Sequence, residues 1–213
     1  MAFPAPPLTL LYRLDRAREF AVAWISHSAN VLLYTAVVLI VGVGSSLYAI
    51  DSGTRLTTAR NGPWVMWSQA AQRDVDPYTR ARYAKIGSLP VSASIAATWE
   101  ARLDAEGRRL HSSCEYLIEA DPIDAAWFSI AVYDDKGLLI PNSADRYSFT
   151  SQSLASNPDG SFFIVLARDA RPGNWLPVGG AGRLVLVLTI LEPKPSVADA
   201  SHALPSIRRI GCR

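Results

Sequence analysis

Histidine and cysteine are scarce in this chain, and neither sign of charge is in surplus. Three histidines and two cysteines occur in 213 residues. His27 precedes a long apolar run, so a membrane would separate it from the other two. His111 and His202 read as surface residues. A metal site on Cys114 and Cys212 is not expected. HExxH, GxSxG, a phosphate loop and a dinucleotide fingerprint are all absent. Lys and Arg number 21 against 19 for Asp and Glu, a net charge of +2, which gives no concentrated basic face for nucleic acid. No catalytic, cofactor-binding or metal residue is therefore assigned, and no cofactor is expected.

Charge is missing altogether from one place. Val31 to Ile50 reads VLLYTAVVLIVGVGSSLYAI, 20 residues without a charged side chain. A helix of that length, rising about 1.5 Å per residue, covers the ~30 Å hydrocarbon core of a bilayer. A cleaved signal peptide would have a shorter apolar core and small residues before the cut. The best cut here, after Ala49, puts Leu47 at the −3 position. A buried soluble helix would show a polar face, and this segment has only Ser, Thr and Tyr. A retained transmembrane helix is the expectation. No second run of the kind follows, since Arg183 to Leu191 is too short to span and reads as a buried strand.

Arg13, Arg16 and Arg18 precede the run, while Arg55 and Arg60 follow it. This small bias favours a cytoplasmic N-terminus. Tyr34, Tyr48 and Trp24 lie near its ends, where amphipathic rings favour the interface. Leu8 to Ile25 reads as an amphipathic helix lying on the surface and leading into the anchor. The organisation expected is a cytoplasmic amphipathic segment over 1–30, a single-pass span over 31–50, a linker over 51–61 and an exported domain over 62–213. The location is then a bacterial inner membrane with the C-terminal domain in the periplasm.

Both cysteines fall on the exported side. An oxidising compartment favours pairing of two thiols in one compact domain. The Cys114 to Cys212 separation is 98 residues, a loop whose closure the chain-entropy model values at about 4–5 kcal/mol. Two unrelated free thiols are the alternative. A bridge would staple the tail from Leu204 to Cys212 onto the domain.

The exported part has one helix signal. Asp76 suits an N-cap, Pro77 the first helical position and Gly87 the stop, which predicts a helix over Pro77 to Ile86. Gly62-Pro63-Trp64 opens a further aromatic stretch. Strands and turns follow: Ile95 to Leu103, a hairpin turn at Asp104 to Gly107, Cys114 to Ala120, and Trp127 to Tyr133. A turn at Asp134 to Gly137 leads to short strands at Leu138–Ile140 and Tyr147–Thr150. The sequence Asn157-Pro158-Asp159-Gly160 makes another turn before Ser161 to Leu166, and Arg183 to Leu191 ends the sheet. Turns every 10–20 residues with no later helical pattern indicate a mainly β domain, an antiparallel β-sandwich or jelly roll, behind a single transmembrane helix.

Glycines crowd Gly173 to Gly182, but that stretch leads into a strand, so no helix terminus awaits a phosphate. Carboxylates are numerous, and most occupy turns, where Asp serves backbone hydrogen bonds. A carboxylate hydrolase would need two of them facing across a cleft. Trp127 reads as core. Asn174 and Trp175, in a loop, are the candidate ligand-facing residues.

Taken in order, several phrases form a pattern: Gly62-Pro63-Trp64, Asp76 to Ala81, Gly87-Ser88-Leu89-Pro90, Asp104 to Gly107 with Leu110, and Cys114-x-Tyr116. Trp127, Tyr133 to Gly137, Asn142 with Arg146-Tyr147-Ser148, Asp159-Gly160-Ser161, Gly173 to Pro177 and Leu204 to Cys212 continue it. The set resembles the domain of unknown function 1214 family, and more narrowly its short membrane-anchored members from alphaproteobacteria. The resemblance covers about Gly62 to Cys212. It implies a mostly β domain behind an N-terminal anchor, with no agreed activity or cofactor. The last strand departs from the pattern, with Thr189 and Leu191 where an Arg and a Tyr would be expected ahead of the acidic-Pro ending, here Glu192-Pro193. The function expected is a membrane-anchored periplasmic binding or assembly module, touching lipid through its anchor and a membrane-protein partner. The alternative is a periplasmic hydrolase or carbohydrate-active enzyme using carboxylates.

Overall fold

The computed structural model describes residues 8–68, 70–72, 74–92, 94–193 and 204–213. The chain divides into two compact units, Met1–Asp51 and Ser52–Arg213. The first is one continuous helix, α1 (Leu8–Ser52). Within it Arg18–Ser52, 35 residues, is long and apolar enough to cross a membrane, with a mean hydropathy of 2.0 over its most apolar window. It is the one such helix among the described residues. The amphipathic lead-in and the apolar run are thus a single helix. The side chains at positions 8–15 and 17 lie outside the described residues, and with them much of the polar face expected over Leu8 to Ile25.

The second unit is a two-sheet sandwich. Its strands are β1 (Thr58–Asn61), β2 (Trp64–Trp67), β3 (Ala96–Ala101), β4 (Cys114–Ala120), β5 (Ala125–Asp134), β6 (Ser148–Thr150), β7 (Phe162–Ala167), β8 (Trp175–Pro177), β9 (Leu184–Pro193) and β10 (Ser206–Cys212), with α2 (Pro77–Ile86) between β2 and β3. One sheet has the order β1-β2-β3-β9-β5-β6 and the other β10-β4-β7-β8. Every pair is antiparallel except β7 with β8. The mainly β sandwich is as the turn pattern indicated; that one parallel pair makes the smaller sheet mixed.

Alternation along the strands builds the core. Trp99, Leu186, Leu188 and Ile130 point inward from the larger sheet, and Tyr116, Ile118, Ile164 and Leu166 from the smaller, all essentially without solvent exposure. Burying a side chain of this size is worth about 1.5–3 kcal/mol, which makes this interface the main source of stability.

Four local outcomes differ from the sequence expectations. The segment expected as a linker carries β1, which pairs with β2 across the turn at Gly62, where φ is 57°. The Asp104–Gly107 turn forms, closed by the Leu103–Arg109 bridge, yet it does not make a hairpin of two long strands. The chain crosses there from one sheet to the other. Leu138 to Ile140 contributes a single bridge, Leu139 to Tyr133, rather than a strand. Arg183–Leu191 does not end the sheets, because the tail returns as β10 on the free edge of β4.

Helix α2 has the bounds its caps predict. Asp76 accepts hydrogen bonds from the backbone N–H of Tyr78 at 2.9 Å and Thr79 at 3.0 Å. Gly87, at φ 65°, closes the other end. A left-handed residue there turns the chain away without the steric cost a side chain would add.

Candidate binding face

Strand register brings residues from distant parts of the chain into rows on the outer side of the six-stranded sheet. Ala96, Leu191 and Trp127 form one row, and Thr98, Thr189, Ser129 and Thr150 the next. Val65, Glu100, Val187, Ala131 and Ser148 make a third. Val185 and Tyr133 pair in the fourth, beside Arg102, the residue that follows β3. Along β5 alone, Trp127, Ser129, Ala131 and Tyr133 share this face. At roughly 3.4 Å per residue the two rings sit about 20 Å apart.

Near the fourth row the face deepens into a groove of about 470 Å³. Val185 and Val187 lie in it beside Glu100, Arg102 and Tyr133, while α2 contributes Arg82 and Ile86. Asp135 and Lys136 of the β5 turn complete it. Glu100 accepts from Arg102 at 3.2 Å. The Arg82 guanidinium stands 5.9 Å from the centroid of the Trp67 ring, within range of a cation–π contact. Burial, reinforced by the negative charge of Glu100, raises the pKa of the Tyr83 phenol above its usual value.

The residues singled out from sequence are dispersed. Asn174 is buried, and its side chain is bonded to backbone: it accepts from Ala155 N–H at 2.9 Å and donates to the carbonyls of Ala155 and Phe163, each at 2.8 Å. Trp175 belongs to β8 rather than a loop, and its indole donates to Ala167 O at 3.0 Å. Both groups brace the parallel β7–β8 pair. Trp127, read as core, is instead half-buried on the outer face, because Phe128, Ile130 and Val132 take the inward positions.

Cys114 and Cys212 are joined in a disulfide across directly opposed positions of β4 and β10. The tail has further ties. Trp64 Nε1 donates to Pro205 O at 2.7 Å, and Ala105 N–H donates to Ile207 O at 2.8 Å. Arg209 reaches Asp104 at 3.0 Å and lies over the Tyr116 ring. Asp104, a turn residue by sequence, has a fully buried side chain that also accepts from Arg108 N–H at 2.8 Å.

Other carboxylates are engaged in the same structural manner. Glu115 pairs with Arg171 at 2.6 Å, Glu119 with Arg208 at 3.6 Å and Glu106 with Arg108 at 3.0 Å. Asp134 accepts from two backbone N–H groups of its own turn. Hydrogen bonds from the Ser161 hydroxyl and backbone hold Asp159 below its usual pKa. Among the described residues no group of three or more His, Cys, Asp and Glu side chains could hold a metal ion. His111 is tied to Ser113 at 2.8 Å, while His202 lies outside the described residues.

A family model described as a protein of unknown function, DUF1214, matches residues 95–195. The match spans just under half of the chain. The matched DUF1214 segment runs from the start of β3 past the end of β9 and so contains the rows of the outer face, whereas α2 and β10 lie outside it. No curated protein matches the chain. The crystal structure of the VPA0106 protein from Vibrio parahaemolyticus is similar, with a TM-score of 0.59 and 16% identity over 79% of this chain and 42% of that one. A crystal structure of an uncharacterised protein from Burkholderia cenocepacia matches with a TM-score of 0.42 and 21% identity, over 67% of this chain and 46% of that one. The chain thus spans less than half the length of either structure. The Vibrio likeness is one of fold.

Proposed function

We propose that this chain is a single-pass envelope protein that holds its DUF1214 sandwich on the periplasmic side of the bacterial inner membrane, where the sandwich binds a ligand or partner. The observation that carries the reading is the long helix ahead of the domain, whose most apolar window is nowhere buried by protein. Apolar surface of that extent needs lipid around it. The paired cysteines support the oxidising side of the membrane for the domain, and the arginines ahead of the span support a cytoplasmic N-terminus.

Binding is favoured over carboxylate catalysis by how the acids are used. Glu100 and Asp135 both line the groove. Glu100, however, is neutralised by Arg102, Glu115 and Glu119 pair with arginines, and Asp134 caps its own turn. The open outer face is the surface left for recognition.

Reporter fusions test the topology. A periplasm-dependent reporter at the C-terminus should be active and a cytoplasm-dependent one silent. Thiol alkylation under non-reducing conditions should modify neither cysteine. The reverse pattern in either measurement overturns the placement. For the binding role, the full chain purified in mild detergent should retain a ligand or a membrane-protein partner. Groove variants such as Tyr133→Ala should lose it.

A further inference from the structure

We propose that the outer face of the six-stranded sheet binds an extended, uncharged glycan, a chain of pyranose rings laid along the strands. The proposal deepens the binding reading above and rests on it. A pyranose offers an apolar C–H face and a rim of hydroxyls, so its binding surface combines an aromatic plate with hydrogen-bonding groups placed between.

Both are here in one line. Trp127 and Tyr133 stand toward the two ends of β5 on its outer face, about 20 Å apart, room for several rings in sequence. Between them β5 turns only Ser129 and Ala131 outward, beside Thr189 and Val187 of β9, so the floor of the path is built from small and mid-sized side chains. Thr98, Thr189 and Ser129 stand side by side in one row, and none of the three hydroxyls has a hydrogen-bond partner among the described residues. Next to them the Glu100–Arg102 pair supplies a strong acceptor beside strong donors. Helix α2 closes one flank with Arg82 and Ile86.

Charge argues for the uncharged class. Arg82, Arg102 and Lys136 meet Glu100 and Asp135 in the same groove, so neither sign dominates enough to select a polyanion. Chemistry argues against a docked amphipathic helix. Such a helix needs a row of apolar holes, and the middle of this face is hydroxyl-rich, with Leu191 at 37% exposure beyond it.

The test uses the full chain in detergent micelles. Tryptophan fluorescence and calorimetry follow titration with two soluble probes, a β-1,4-linked N-acetylglucosamine tetramer and maltotetraose. Saturable binding of at least one is expected. Trp127→Ala should weaken it tenfold or more, and Ser129→Tyr, which plugs the path, should abolish it. Melting temperatures report whether each variant is folded. If Trp127→Ala unfolds, Ser129→Tyr carries the test alone. No saturable binding of either probe overturns the proposal, as does binding indifferent to both substitutions. Retention of a protein partner whose release requires Ser129→Tyr would overturn it in favour of protein docking. The reporter fusions fail or succeed independently, so a wrong compartment and a wrong ligand give different results.

Discussion

The two ends of the sandwich treat their polar groups in opposite ways. Around β10, strong donors and acceptors are turned onto the protein itself. Asp104 is sealed between Arg108 and Arg209, Trp64 reaches the Pro205 carbonyl, and a disulfide closes the strand end. Across β3, β9 and β5 the hydroxyls of Thr98, Thr189 and Ser129 are aligned and have no hydrogen-bond partner among the described residues. Polar groups that serve the fold are buried and paired, whereas those available to a ligand lie in register on an accessible face. Sequence alone cannot separate the two kinds, since each set mixes ordinary Ser, Thr, Asp and Arg.

The largest effect should come from breaking the buried side of this contrast. Asp104→Ala leaves the mostly buried Arg209 without its counter-charge and removes the acceptor for Arg108 N–H. Loss of one partner from a buried pair costs about 3–5 kcal/mol, to be read from urea unfolding. A loss below about 1 kcal/mol, the range of exposed pairs, would mean that the network is solvated and the contrast false.

Replacing both cysteines by serine should come next. The chain-entropy model sets an upper value of about 4–5 kcal/mol for closing this 98-residue separation, and disulfides typically return roughly 2–4 kcal/mol, measured as the difference in unfolding free energy. The sandwich should stay folded, because β10 keeps its ladder to β4 and its Trp64 and Asp104 ties. Ligand binding at the outer face should be unchanged. A change there would couple the β10 network to the outer face.

What was legible in the sequence follows the same division. Helix α2 could be read to the residue because Asp76, Pro77 and Gly87 are local signals. The turns at Gly137 and Gly160, both at positive φ, were legible for the same reason. β10 was not. Ser206 to Cys212 carries two arginines and little alternation, and its strand character comes from the unpaired edge of β4 far away in sequence. The binding face was hidden for the same physical cause, since positions 98, 129 and 189 meet only through register. One signal was present and overlooked. In Trp127 to Tyr133, Phe128, Ile130 and Val132 are the more uniformly apolar set, which assigns them inward and turns Trp127 and Tyr133 out.

A smaller effect should come from the α2 cap. Asp76→Ala removes an N-cap worth about 1 kcal/mol. Partial burial pushes the Asp76 carboxyl upward, but hydrogen bonds from the Thr79 hydroxyl and the Thr79 and Tyr78 backbone outweigh it and hold the pKa below the ordinary 3.8. A depressed folded value means that the capping contribution is complete above 3.8 and is lost as pH falls through the lower value. The gap between wild type and variant, measured by chemical unfolding, should therefore be constant near neutrality and narrow in acid. A gap that widens on acidification would reverse the assigned sign.

The smallest stability change is expected on the open face, and it is the most discriminating. Glu100 is partly exposed and its pair with Arg102 is accessible to solvent, so Glu100→Gln should alter stability by less than about 1 kcal/mol. Its effect should appear in titration instead. Burial is the main reason that Tyr83 ionises late, and the Glu100 charge adds to it. Removing that charge should bring the Tyr83 transition, followed by ultraviolet absorbance with Tyr83→Phe as the reference, part of the way back toward 10.0. An unmoved Tyr83 would mean that water screens the two groups. The groove would then be too open to hold a ligand between α2 and the sheet. A large loss of stability would mean that Glu100 belongs with Asp104 among the groups that hold the fold.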